Sequence, residues 1–255
     1  MKIKLLTIIF AFLTVLNAQT DLAKGIEWYN KRAEGSVGAR AAEGPISKAI
    51  SFLEKAMTDP GDEKEAGLYL LKSYYYRGKF VDSEKEAKKA DFQKGKDLGE
   101  KLMKKYPDAV EFRYWYLANL GSWSEEYGIL AAAREGVADI MKEQSEIIIN
   151  LDPEYEDGGG YFMLGAVHYK SPYIPFFLSW PKNEKAIKWL KKAVATGAAT
   201  PTQKVYLANA LYKDGQKKEA ISILKEVVST PPSEAEPVED MEKIEEAKEL
   251  LKKYQ

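Results

Sequence analysis

Two stretches near the carboxyl end of the chain decide the fold: NEKAIKWLKKAV at 183–194 and QKKEAISILKEVV at 216–228. Spacings of four and then three residues place side chains on one face of an α-helix. Both stretches carry a small or apolar triplet with that spacing, and the triplets are 34 residues apart: Ala186, Leu190 and Ala193, then Ala220, Leu224 and Val227. We therefore interpret each stretch as one helix of a repeated unit, with small residues that let a second helix approach closely.

The helix before each stretch repeats as well. The matching features are Leu164-Gly165 after Tyr161 in one copy, and Leu207-Ala208 with Leu211 before Gly215 in the other. A period of 34 residues with this order of aromatic, Leu-Gly and small residues resembles the tetratricopeptide repeat (TPR), a helical hairpin. The stretch 203–232 fits the repeat closely and ends at Pro232, which breaks the helix.

Weaker copies of the pattern occupy the rest of the chain. Second helices are indicated by Ala49, Leu53 and Ala56, and first helices by Leu70, Leu71 and Tyr74. Long helices are predicted over 82–106 and 125–151, because a proline follows each and disfavours helix in the residue before it. We predict an all-α, TPR-like solenoid of about five hairpins. A last helix over 238–253 would cap its open end.

The amino-terminal residues predict export. Lys2 and Lys4 are followed by an apolar run over 5–16 and a small residue, Ala18, which together are typical of a secretory signal peptide. The run is shorter than the about 20 residues that a membrane-spanning helix needs, although an uncleaved anchor remains the alternative. We predict cleavage after Ala18, a single solenoid domain over 19–255, and a periplasmic location.

Composition argues against several classes of function. The 38 basic and 39 acidic residues leave a net charge of −1, without the basic excess of a nucleic-acid-binding protein. The chain has one histidine, His168, and no cysteine, which argues against a familiar zinc site and excludes disulfides. His168 lies where the repeat carries a packing residue. We predict no catalytic residue, no metal and no cofactor, and therefore a protein that is not an enzyme.

The stretch 152–194 resembles the T component of tripartite ATP-independent periplasmic (TRAP) transporters. The shared features are three glycines that open a helix, Leu164-Gly165, a proline-rich connection over 172–181, and the helix with the first triplet. The resemblance implies an accessory of periplasmic solute uptake that associates with the transporter's solute-binding protein. It also implies a small organic ligand and, as in some members, a homo-oligomer. The alternative is a TPR scaffold for envelope protein assembly that binds a partner peptide or helix in its groove.

Two sets of residues are candidates for ligand or partner binding. The connection 170–183 is unusually apolar for a loop, and it either completes the core or forms a wall or lid of a binding site. Its candidates are Tyr173, Phe176, Phe177 and Trp180. First helices of TPR hairpins line a concave groove, and their candidates are Tyr75, Arg113, Tyr116, Asn119 and Tyr161. For each aromatic residue, packing in the core is the alternative interpretation.

Overall fold

The computed structural model describes residues 19–176 and 178–254. The predicted signal peptide, 1–18, and Phe177 lie outside the described residues. The described part forms helices α1 Asp21–Asn30, α2 Glu43–Ala56, α3 Glu63–Tyr76, α4 Lys85–Lys105, α5 Val110–Tyr127, α6 Ile129–Arg134, α7 Val137–Leu151, α8 Tyr155–Lys170, α9 Asn183–Val194, α10 Pro201–Lys213, α11 Lys217–Ser229 and α12 Pro237–Tyr254. A π-helical turn, Arg77–Val81, follows α3.

Ten of these helices form five antiparallel hairpins, which confirms the predicted all-α solenoid. The pairs are α1 with α2, α3 with α4, α5 with α7, α8 with α9, and α10 with α11. Consecutive hairpins also pack on each other, as α2 does on α3 and α7 on α8. A hairpin alone cannot cover its apolar face, so stacking builds the continuous core.

Small residues on the first helices allow the hairpins to close. A Cβ atom added at Gly165 would lie 2.6 Å from Leu190 Cγ, and one added at Gly25 would lie 2.6 Å from Leu53 Cγ. Ala208 follows Leu207 in α10 as Gly165 follows Leu164 in α8, and Ala208 is fully buried. The predicted close approach of paired helices is therefore observed.

The prediction of one continuous helix over 125–151 is wrong. The helix α5 ends at Tyr127, and the chain turns at Gly128 and Gly136, whose φ angles are +90° and +64°. Residues other than glycine rarely adopt such angles, so the two glycines separate α5, α6 and α7. The other long helix, predicted over 82–106, is confirmed as α4 except for its first residues.

The last helix does more than cap the end of the solenoid. At its carboxyl end, Tyr254 stacks on Tyr212 of α10 with 3.4 Å between ring centroids. At its amino end, Val238 is buried in the core of the first hairpins, and Arg32 donates a hydrogen bond of 2.8 Å to the carbonyl oxygen of Ala235. We call residues 233–243 the strap, because this segment crosses the concave side of the solenoid and joins its two ends.

Candidate functional site

The strap and the concave face line a partly open cavity of about 1180 Å³. Small-molecule sites in proteins commonly have volumes of about 300–1,000 Å³ and largely apolar walls. The first helices of the hairpins supply the largest part of the wall, and the strap also contributes to it. The aromatic wall residues are Tyr29, Tyr75, Tyr76, Phe80, Tyr114, Trp115, Phe162 and Tyr206.

Tyrosine hydroxyl groups give the aromatic wall hydrogen-bonding capacity. Tyr75 packs edge-on against Trp115 at 5.8 Å between centroids, and Tyr114 packs against the same indole at 5.4 Å. Burial raises the pKa of both phenols, and so it does for Tyr206, which keeps the hydroxyl groups protonated. Among the described residues, none of these three hydroxyl groups has a hydrogen-bond partner.

The strap carries four of the eight acidic residues that line the cavity. Glu239 accepts a hydrogen bond of 3.1 Å from Nε of Arg32, and the Nη2 atom of the same guanidinium lies 3.0 Å from this carboxylate. Asp240 accepts a hydrogen bond of 2.8 Å from the backbone N–H of Ser233. Glu236 has no side-chain partner among the described residues. Burial, together with the nearby carboxylate of Glu239, raises the pKa of Glu236 to about 7.

The lysines of the cavity wall are already paired with carboxylates. Lys79 lies 3.1 Å from Glu242, and Lys170 lies 3.1 Å from Glu125. Lys243 lies 3.1 Å from Glu242 and 2.8 Å from Glu246, and Lys72 lies 3.9 Å from Glu156. Each lysine of the wall therefore has a carboxylate neighbour, while Glu236 forms no ion pair with a described residue.

The connection 170–183 is both wall and exposed surface. Ile174 and Leu178 exchange backbone hydrogen bonds of 2.9 and 2.8 Å, and both side chains line the cavity. Tyr173 and Phe176 lie on the outside, with 63% and 100% of their surface exposed. The predicted wall is therefore formed by the aliphatic residues of the loop, and not by these two aromatic candidates.

Trp180 and His168 anchor the end of that connection. The indole N–H of Trp180 donates a hydrogen bond of 2.8 Å to Asp139, and its ring lies edge-on to His168 at 4.9 Å. His168 accepts a hydrogen bond of 3.3 Å from the backbone N–H of Lys182 at Nδ1. The prediction that His168 is a packing and hydrogen-bonding residue is confirmed.

Of the five groove candidates, only Tyr75 lines the cavity. Asn119 has no exposed surface, because its side-chain amide donates hydrogen bonds to the carbonyl oxygens of Leu71 and Trp115, at 3.1 and 2.8 Å. Tyr116 is buried in the contact between α4 and α5. A Cβ atom added at Gly99 of α4 would lie 2.8 Å from the Cβ atom of Tyr116. The predicted placement of Asn119 and Tyr116 in the groove is therefore corrected.

Arg113 and Tyr161 also contribute to packing between helices. Arg113 donates hydrogen bonds to the side chain of Gln144 and to the carbonyl oxygen of Pro107. Tyr161 is buried and stacks in parallel on Trp189, at 6.0 Å between centroids. Their predicted position in the groove is corrected in the same way, because both side chains face neighbouring helices.

Sequence reasoning missed the acidic strap. Glu236, Glu239 and Asp240 stand in a polar, proline-flanked stretch that is typical of a solvated surface. The helical spacing of Val238 and its neighbours could have shown which face is apolar. It could not have shown that this face packs on the first hairpins, at the other end of the chain.

We expect the buried His168 to make stability depend on pH. Burial, and then the charges of Lys142 and Lys185, lower the pKa of this imidazole to about 4. As pH falls from 6.5 to about 4, His168 becomes protonated in the unfolded chain but stays neutral in the folded protein. The free energy of unfolding therefore falls. We expect a loss of roughly 2 kcal/mol relative to His168→Gln over this window. Urea unfolding of both proteins at pH 6.5 and pH 4 measures this loss. If the free energy of unfolding fell equally in the two proteins, the prediction would be contradicted.

Within residues 19–176 and 178–254, no helix combines the length and apolar character needed to cross a membrane. In the same residues, no group of three or more histidine and acidic side chains is arranged to hold a metal ion.

Comparison with known proteins identifies the fold. No protein-family profile and no curated protein matches the chain. Among solved structures, the crystal structure of a thermophilic TPR protein in Thermus thermophilus is similar, with a TM-score of 0.55 over 92% of this chain and 96% of that chain. The chain has a TPR-like fold. The sequence identity is 16%, so the similarity concerns the fold alone.

Proposed function

We propose that this TPR-like protein is a non-catalytic binding protein that holds a small organic ligand in its internal cavity. The observation that carries the proposal is the strap, which lies across the concave groove and bounds a partly open cavity of about 1180 Å³. An extended peptide needs a groove that is open along its length. A cavity with an aromatic wall and a few polar groups favours a small molecule.

The biological role that we propose is that of an exported accessory of solute uptake. The signal-like residues 1–18 support export to the periplasm, and the resemblance of 152–194 to the TRAP T component supports uptake. The protein partner would then be a periplasmic solute-binding protein, which would exchange the solute with the cavity. A homo-oligomer is compatible with this role.

A second candidate is a scaffold for envelope protein assembly. The observation that favours it is a set of apolar side chains exposed on two cavity-forming segments, α6 and the connection 170–183: Ile129, Leu130, Tyr173 and Phe176. Exposed apolar residues of this size often mark contacts with a partner protein. The same residues could contact a solute-binding protein in the uptake role.

Native mass spectrometry tests the cavity directly. We expect the protein purified from its native envelope to retain a small molecule that is released on unfolding. Ala118 lines the cavity, and Ala118→Trp should reduce the retained ligand at least several-fold by filling that space. Ala90→Trp, on the exposed face of α4, is the matched control and should retain the ligand. Equal retention by the two variants would contradict binding in the cavity.

Crosslinking of the tagged protein in its native envelope tests the role. We expect a solute-binding protein in the eluate, with crosslinks near α6 or the connection 170–183. Phe176→Ser should reduce the recovery of the solute-binding protein, because the substitution removes the exposed ring that would contact it. Recovery of envelope-assembly proteins instead would favour the scaffold role and reject the uptake role.

A further inference from the structure

Beside the cavity, three of its wall residues already hold one cationic side chain, the guanidinium of Arg32. That group lies 4.7 Å from the ring centroid of Tyr29 and 5.4 Å from that of Tyr76, and it is paired with Glu239. Aromatic faces attract cations through their quadrupole, and a carboxylate adds charge complementarity. The wall therefore shows how its aromatic and acidic groups hold a cation together.

A second acidic group of the wall has no such partner. Among the described residues, Glu236 forms no salt bridge, and Oε2 of Glu239 is buried without a hydrogen-bond partner. The tyrosine hydroxyl groups of Tyr75 and Tyr114 are also unpaired in the described part of the chain, and both rings line the same cavity as Glu236. An unpaired carboxylate in a largely apolar cavity is unfavourable unless it takes up a proton or a cation accompanies it.

Anions are poorly accommodated by the same wall. Each lysine that lines the cavity already has a carboxylate neighbour, as described above. A ligand carboxylate would compete with the carboxylates that these lysines already face, and it would also approach Glu236, Glu239 and Asp240. A ligand cation would meet unpaired acceptors without breaking any pair.

We propose that the cavity ligand is an amphipathic organic cation, with its ammonium group at Glu236 and its apolar part along the aromatic wall. This inference rests on the proposed function and adds the chemical class of the ligand. The ammonium group would lie on the strap side of the cavity, near Glu236, Glu239 and Asp240. The apolar part would extend towards Phe162 and the aliphatic residues of the connection 170–183.

Binding of such a cation should depend on pH. The charged groups that face Glu236 are Glu239 and Asp240 of the strap, Glu156 of α8, and Arg32 of the first hairpin. Burial and the neighbouring carboxylates keep Glu236 half-protonated at a pH of about 7. Its carboxylate is therefore ionised at pH 8 and protonated at pH 5.5, so cation affinity should fall as pH falls.

Calorimetric titration with three probes of equal chain length tests the inference. The probes are octyltrimethylammonium, octanol and octanoate, all below the concentrations at which they form micelles. At pH 8 we expect one octyltrimethylammonium to bind per chain, at least about ten-fold tighter than octanoate. We expect Glu236→Gln to weaken the cation roughly ten-fold and to leave octanol unchanged, because only the charge is removed.

The exposed Glu234, two residues earlier in the strap, provides the matched control. Glu234→Gln should bind all three probes as the unmodified protein does. Equal affinity for the cation and octanoate, or no effect of Glu236→Gln on the cation, would overturn the cation inference while leaving the binding function in place. Failure of all three probes to bind would overturn both.

Discussion

Arg32→Met is expected to lower the free energy of unfolding by about 3 kcal/mol and to detach the strap from the first hairpin. The guanidinium pairs with Glu239 at 3.0 Å, donates to the carbonyl oxygen of Ala235 at 2.8 Å, and packs on two tyrosine rings. Removing one partner of a buried ion pair typically costs 3–5 kcal/mol, about the loss expected here, because the other charge stays buried without compensation. Loss of the Arg32 guanidinium also leaves the carboxyl groups of Glu236 and Glu239 close together without its positive charge.

Two measurements separate this effect from a general loss of stability. Hydrogen exchange of the amides over 233–243 should accelerate in Arg32→Met more than exchange in α8 and α9. Urea unfolding should show the loss of stability, and the double variant Arg32→Met/Glu239→Leu should recover part of it.

Arg134 is the matched control for this substitution, because it is exposed and has no ion pair with any described residue. Arg134→Met should change stability by less than about 0.5 kcal/mol. If Arg32→Met were as stable as Arg134→Met and exchanged at the same rate over 233–243, the packing of Val238 and the pair of Lys79 with Glu242 would hold the strap without Arg32.

Gly165→Val is expected to destabilise the fourth hairpin by about 3 kcal/mol or more. A Cβ at this position would lie 2.6 Å from Leu190 Cγ and 3.1 Å from the backbone nitrogen of Leu190. Leu190 is fully buried, so neither its side chain nor the backbone of α9 can move aside without opening the core. Inserting bulk into a packed core typically costs 1–3 kcal/mol and occasionally more, and the backbone contact places this case at the upper end of that range.

The same substitution at Gly44 provides the control. Gly44 lies in the first turn of α2, and a Cβ there would meet no atom within 4 Å. Gly44→Val should be neutral to within about 0.5 kcal/mol, because valine has a slightly better helix propensity than glycine. Thermal and urea unfolding of the two variants provide the comparison, and equal stability would show that α8 and α9 can separate without cost.

The local patterns of the chain predicted its architecture correctly. Side chains spaced by four and three residues must share a helix face, whatever surrounds them, so Ala186, Leu190 and Ala193 identified α9 without tertiary information. The same local rule located α12. It failed at 125–151, because the sequence reasoning did not weigh the turn-forming capacity of Gly128 and Gly136.

The binding site was less accessible to sequence reasoning. An aromatic residue on a first helix can face the groove or the neighbouring hairpin, and the choice depends on helix rotation. Tyr75 faces the cavity, whereas Tyr116, Asn119 and Tyr161 are buried between helices. Tyr114 and Tyr206 line the cavity from helices of the same kind, with no difference in local pattern.

By itself, therefore, the sequence determined an all-α, TPR-like solenoid, the helices that carry its clearest repeats, and the packing role of His168. Only the tertiary structure decided that the solenoid closes on itself. The ion pair between Arg32 and Glu239 joins residues 207 positions apart, and no local periodicity carries information over that distance. The same closure brings Glu236 against the aromatic wall and creates the cavity on which the proposed function depends.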